Sequence, residues 1–525
     1  MKSRITFLIL VGAVTLLCLA SASAADKGSG SVKIGYTFVD DSGSLALNQE
    51  TYNTYEGLGL SLLDWRYGFD NGISLSADLN NITLNNRNLK ANACKPGLFS
   101  LSFTNNQYRR FYDFYGTNFT RRATTGVQAS FQPHRLAKFF AGFGTTQKHG
   151  NTFEVESPIY DTIVASTDYT NTSFNIGALV GERRASLRLD YRHFNFDDKT
   201  TLNADRKADN LSATATVLVP RFERLMLTGG IDYRKDKDEL RPAYLETDQY
   251  WTAARLYLPY QIIADYRVLY AIAKHEDTTN QKFSTDHIVQ TATVGKNWTR
   301  YGGLRVGYEY HIVDNFIDQT ASSGILADAW LRPISRIYMH GVMATRRNTV
   351  QEGVTLLGDE DLTRHDVSIK YTQPEWGDVT ARWQGRLRKN PDLNSRVDYR
   401  ALTAQVNVER KEYGRLSVVW TYYKGQYKNE SDNIGFEFGD HVLSGSIHPR
   451  TWRNFDVDFG ATYYRSRRSL DIEKSDLNFG VKYTFLKNHH VEARYNVYNY
   501  DDYLLNNQYY TANIFEINII KDLSF

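Results

Sequence analysis

The chain ends Phe515-Glu516-Ile517-Asn518-Ile519-Ile520-Lys521-Asp522-Leu523-Ser524-Phe525. Counted back in steps of two, Phe525, Leu523, Ile519, Ile517 and Phe515 share one side, and only Lys521 interrupts them. Successive side chains of an extended chain point to opposite faces, so this period builds a strand with one apolar face. A strand at the edge of a soluble sheet is the bland reading of the same pattern. The pattern, however, recurs through the interior. Ala185, Leu187, Leu189 and Tyr191 alternate with Ser186, Arg188, Asp190 and Arg192. Leu304, Val306, Tyr308 and Tyr310 alternate with Arg305, Glu309 and His311. Val491, Ala493, Tyr495 and Val497 alternate with Glu492, Arg494 and Asn496. Each is a strand with one apolar and one polar, largely charged face.

The other end of the chain says where such strands go. Met1-Lys2-Ser3-Arg4 is basic, Ile5 to Ala20 carries no charge, and Ala22-Ser23-Ala24 is a small-residue cleavage site. Residues 1–24 therefore read as a secretory signal peptide, removed to leave a single domain over 25–525. Leu17 before Cys18 argues against a lipoprotein site, which wants Gly or Ala there. Cleavage leaves one cysteine, Cys94, which cannot form an internal disulfide. The chain has no Cys-x-x-Cys-His, so it attaches no c-type haem of its own, and no Cys/His cluster suggests a metal. Among 525 residues, 62 Lys+Arg nearly balance 59 Asp+Glu, which argues against nucleic-acid binding. A mean hydropathy of −0.48 rules out a helical membrane protein. With an export signal in front, the last strand resembles the closing strand of bacterial outer-membrane β-barrels. The resemblance implies that the barrel assembly machinery reads the strand ending in Phe525. The expected location is the outer membrane of a Gram-negative bacterium.

Turns keep the rhythm of a barrel. Short ones fall near Pro133, Glu182, Pro220, Pro259, Arg300, Pro333, Pro374, Glu412, Pro449 and Lys487. Longer polar loops are expected between them, at 148–167, 236–245 and 349–360. Short connections on one side and long ones on the other suit a membrane barrel with both termini in the periplasm. The pattern gives about 26 antiparallel strands (22 to 28 with the doubtful stretch 70–120), from 31–39 to 511–525. Within that stretch strands are placed at 73–80, 86–94 and 98–106. All ten prolines fall in turns or loops, where a missing N–H breaks no ladder bond. Trp298, Tyr301, Trp376, Tyr413, Trp452, Tyr498 and Tyr500 lie near strand ends, as interfacial girdles require.

The fold expected is thus all-β, a transmembrane antiparallel barrel with no separate plug domain. Barrels of 16–18 strands already hold a channel, and 22-stranded ones carry a plug. A wider barrel with a charged interior needs a separate occupant. Signal peptide, missing plug, strand number and terminal Phe525 together resemble the MtrB/PioB family of outer-membrane barrels. So does Leu84-Asn85-Asn86-Arg87-Asn88-Leu89 followed by Pro96-Gly97-Leu98-Phe99. That family's barrel sheathes a multihaem c-type cytochrome, the porin part of an electron conduit across the outer membrane. The resemblance implies such a partner, with haems on the partner and no cofactor in this chain. The Cys-x-x-Cys that many members carry is lacking, and no functional residue is carried over. A diffusion porin for ions or small solutes is the alternative, and export of a polymer or lipid a third. An enzyme is not expected: the histidines are scattered and no Gly-x-Ser-x-Gly is present. His489-His490 reads as a solvated turn, and Asp359-Glu360-Asp361 lacks a full calcium ligand set. No catalytic, cofactor-binding or metal residue is assigned.

Overall fold

The computed structural model describes residues 28–45, 55–112, 118–154, 163–182, 184–200, 205–219, 224–238, 243–276, 281–298, 300–315, 318–353, 359–431, 433–504 and 508–524. The expected signal peptide and Phe525 lie outside them. Twenty-six strands form one antiparallel sheet, each paired with its neighbours in sequence. The first, β1 (Gly28–Gly43), pairs with the last, β26 (Tyr509–Ser524), from Ser29↔Ser524 to Gly43↔Tyr510. That seam closes the barrel. The stretch 70–120 yields β3 (Ser74–Asn80), β4 (Asn88–Lys95) and β5 (Phe99–Phe111), so the strand number expected from sequence holds.

Alternation fixes which face is which. On β1, Ile34, Tyr36 and Phe38 are exposed, and Ile34 and Tyr36 are registered with Leu60 and Leu58 of β2 (Gly57–Gly68). Leu187, Leu189, Leu304, Val306, Ile517 and Ile519 continue the exposed apolar belt. A closed sheet satisfies its backbone internally, so such a belt suits lipid. The opposite parity, with Lys33, Arg188, Asp190 and Arg305, faces the lumen.

Three expectations are corrected. The described parts of the polar stretches 148–167, 236–245 and 349–360 are strand apart from Asp359, and their centres, 155–162, 239–242 and 354–358, lie outside the described residues. The hairpin of β7 (Ala137–Glu154) and β8 (Ile163–Glu182) stays in register to Glu154↔Ile163. The hairpin of β11 (Leu225–Asp238) and β12 (Ala243–Leu258) stays paired to Asp238↔Ala243, and β17 runs Ile337–Gly353. Above the bilayer both faces of a hairpin meet water, so polar residues on both sides are still strand. The prolines also differ. Pro133 and Pro333 lie inside the last turns of strands, at register shifts between Phe131 and His134 and between Leu331 and Ile334. Pro449 ends β22 (Ile434–Pro449). At a bulge or strand end the missing donor breaks no ladder bond. Pro158, Pro220 and Pro242 lie outside the described residues. Finally, Trp298, Tyr301, Tyr413 and Trp452 are exposed beside short turns, as a girdle requires, but Tyr498 and Tyr500 are buried. Their parity on β25 (His489–Asp502) is that of Glu492 and Arg494, so they point into the lumen.

Candidate functional site in the barrel lumen

Within the bilayer, the lumen is the face of the wall turned away from lipid. Neighbouring strands lie about 4.8 Å apart and tilt by about 40°. Twenty-six of them close a circle roughly 50 Å across the backbone, leaving on the order of 35 Å between inward side chains. Among the described residues every element except a 3-10 turn at Pro259–Gln261 belongs to the wall.

Inward charges of both signs pair along and across strands. Arg188 Nε donates to Asp190 at 2.6 Å, and Arg255 Nε to Asp265 at 2.5 Å. Asp366 accepts from Arg382 Nε at 2.9 Å and Gln384 Nε2 at 2.9 Å, and Lys370 lies 3.4 Å from Asp378. His340 meets Asp328 at 3.0 Å. At the seam Glu492 accepts from Arg494 Nε at 2.8 Å and Asn518 Nδ2 at 3.2 Å, with Lys33 at 3.7 Å. These pairs are partly hydrated and individually weak. Together they present a polar surface of mixed sign, suited to a hydrated guest.

One inward patch is apolar. Tyr498, Tyr500, Tyr510, Ala512 and Ile514 pack together, joined by Val39, Leu45 and Ile472. The Ser44 N–H donates to the Tyr509 carbonyl at 2.8 Å, so the chain leaving β1 stays close to this patch. Tyr510 donates to Asp41 at 3.0 Å.

The wall has one thin place. β3 and β4 have 7 and 8 residues, about half the usual strand length here. Residues 81–87 fill the gap between β2 and β5. The Ile82 N–H donates to the Leu60 carbonyl at 2.8 Å on one side, and the Gln107 N–H to the Arg87 carbonyl at 2.9 Å on the other. Arg87 Nε also donates to Asn105 at 3.0 Å. Higher still, a side chain replaces a strand. The Tyr55 hydroxyl donates to the Arg109 carbonyl at 2.9 Å and accepts from the Arg109 N–H at 3.0 Å. Burial pushes the Tyr55 phenol above its ordinary value, which keeps the donating proton in place. Sequence reasoning missed this bridge; nothing local distinguishes Tyr55 from 35 other tyrosines.

Residues singled out from sequence are dispersed. His490 is a correction: it is buried, with Nδ1 2.8 Å from Thr484 Oγ1 and Nε2 2.7 Å from Asp522. It opens a strand on the lumen side, so the turn does not solvate it. Asp359, Glu360 and Asp361 diverge. Asp359 accepts from the Val350 N–H at 2.9 Å, Glu360 meets Arg388 at 2.5 Å, and Asp361 faces Arg347 at 3.8 Å. Cys94 points inward beside Ser74, Sγ to Oγ 3.0 Å.

A closed 26-stranded sheet with an apolar exterior and a charged interior decides the class. The chain is an outer-membrane β-barrel. No family model matches it, and no curated protein matches it in sequence. Its fold is similar to solved outer-membrane receptors. The siderophore receptor PirA from Acinetobacter baumannii superposes with a TM-score of 0.54 at 8% identity, covering 95% of this chain and 81% of that one. A mutant of the ferric enterobactin receptor PfeA from Pseudomonas aeruginosa gives 0.53 at 9% identity, covering 95% and 81%. The ferric yersiniabactin uptake receptor FyuA from Yersinia pestis gives 0.52 at 10% identity, with the same coverage. At such identities the likeness is one of fold.

Proposed function

We propose that this barrel is a sheath: it holds a second polypeptide, a multihaem c-type cytochrome, across the outer membrane. The carrying observation is the width of the lumen, with no described element inside it. An open pore of that bore would leak large solutes, so an occupant belongs there. The inward mixture of carboxylates, guanidiniums and ammoniums suits a hydrated protein surface better than lipid or an apolar ligand. The haem identity rests on the resemblance drawn from sequence. Electrons would run through the partner's haems, and the barrel's part would be to exclude lipid and bulk flow. The chain purified from its native membrane in mild detergent should bring down a haem-staining protein. Recovery of an empty barrel of high conductance from those membranes refutes the reading.

A diffusion porin is the second reading. The inward ion pairs favour it, since they satisfy one another without a guest. Swelling of liposomes by small sugars, with native-membrane protein and no second chain present, would establish it.

A further inference from the structure

On the outer face, one sector changes from apolar to cationic at a fixed height. It comprises β19 (Gly377–Asn390), β20 (Ser395–Arg410) and β21 (Gly414–Asn429). Trp383, Leu402 and Tyr422 are register partners across the three strands and share the outward parity. Trp383 and Leu402 are about half and two-fifths exposed, as lipid-facing groups should be. Aromatic residues at such a level mark the edge of the bilayer. Two residues further from the periplasm, Arg400 is registered with Lys424. Four residues beyond that, Arg396 stands between Lys389 and Lys428. Parity keeps all five cations on the lipid side of the wall, out of reach of anything in the lumen.

Like charges directly opposite each other in a sheet repel. Here two such rows are stacked, and the wall answers with little. Asp398 is clasped by Arg396 at 3.0 Å and Arg400 at 2.9 Å. Lys424 lies 3.6 Å from Glu437. Asp361 of β18 (Glu360–Gln373) is registered opposite Lys389 but lies 3.8 Å from Arg347, and among the described residues neither Lys389 nor Lys428 has a carboxylate within ion-pair distance. The side chains enclose a surface cleft of about 490 Å³, lined by five cations against three carboxylates. A cationic cleft directly above an apolar, aromatic belt lies at the headgroup level of the outer leaflet.

We infer that this sector binds the phosphorylated sugar headgroup of an outer-leaflet glycolipid, with the acyl chains lying on Leu402, Val406 and Trp383. Arg396 and Arg400 would supply directed donors to phosphate, and the lysines point charges. A soluble anion lacks the chains that the belt below would hold, so the occupant is the lipid.

The test uses the full-length barrel purified in mild detergent. Native mass spectrometry should show phosphorylated glycolipid retained by the wild type and reduced about tenfold or more in R396Q/R400Q/K424Q/K428Q. After delipidation, bisphosphorylated lipid A should raise the temperature at which the barrel loses its compact electrophoretic mobility. Dephosphorylated lipid A and inorganic phosphate should not. Equal retention by the quadruple variant, or equal stabilisation by either control, overturns the inference. Should the quadruple variant fail to fold, D398N decides. It frees both arginines from their internal counter-ion, so retention should rise; unchanged or lower retention overturns the site.

Discussion

At the level of single residues, Tyr55 shows what a wall of strands does where a strand is missing. Its hydroxyl serves both the N–H and the carbonyl of Arg109, the two groups a neighbouring strand would have satisfied. The Arg109 guanidinium in turn lies over the rings of Tyr55, Phe111 and Phe119 at 4.9, 4.5 and 5.4 Å. Tyr55→Phe keeps the ring and removes both hydrogen bonds. It should cost about 1–3 kcal/mol, the price of two backbone groups left unpaired. Urea unfolding followed by electrophoretic mobility would measure this, and an unchanged midpoint would show that water replaces the hydroxyl. None of this was legible in the sequence, because the partner is 54 residues away and is a backbone group. Tyr498 and Tyr500 differ: proximity to a strand end placed them in the girdle, whereas the alternation of Val491 to Val497, carried further along the strand, puts both on the lumen side.

Among the elements, β1 and β26 pair to close the barrel, and β25 beside them carries a half-buried charge cluster. Glu492 has a side chain only 11% exposed and receives Arg494, Asn518 and Lys33 together. Glu492→Ala removes the carboxylate that Arg494 and Lys33 share and leaves Arg494 to its register partner Glu516 and to Asp458. About 1–2 kcal/mol should be lost, discounted because the Arg494 side chain remains half exposed. The contrasting pair is Arg415–Glu409, with side chains 71% and 66% exposed, where Glu409→Gln should barely shift the urea midpoint. Equal shifts for the two variants would mean that burial at the seam does not matter. Strand period, strand number and the closing pair of ends were legible because lipid and lumen impose opposite demands on alternate residues. The extracellular extensions were not. Once a hairpin leaves the bilayer those demands vanish, and Lys148 to Glu154 reads like loop although Ile163 to Tyr169 pairs with it throughout.

For the whole molecule, the decisive quantity is bore. The fold likeness to siderophore receptors concerns the wall, and the wall alone does not say what lies within it. If the barrel is a sheath, its inward charges contact the guest, and their pairs must be partly exchanged for pairs across the interface. Reversing Asp366 and Asp378 to lysine would leave Arg382 and Lys370 among like charges. The haem-to-barrel ratio after purification should then fall severalfold, and moderate salt should strip the guest more readily than from the wild type. A porin predicts another outcome for the same double variant: no haem protein in either sample, and a shift of ion selectivity towards anions in planar bilayers. The two readings thus separate on one protein preparation. A lumen on the order of 35 Å wide adds a second criterion that does not depend on charge. Polymers of about 25 Å hydrodynamic diameter should block or enter the emptied barrel and leave the occupied one unaffected. Exclusion of those polymers from an emptied barrel would mean that segments of the chain itself fill the bore, and the need for a partner would disappear.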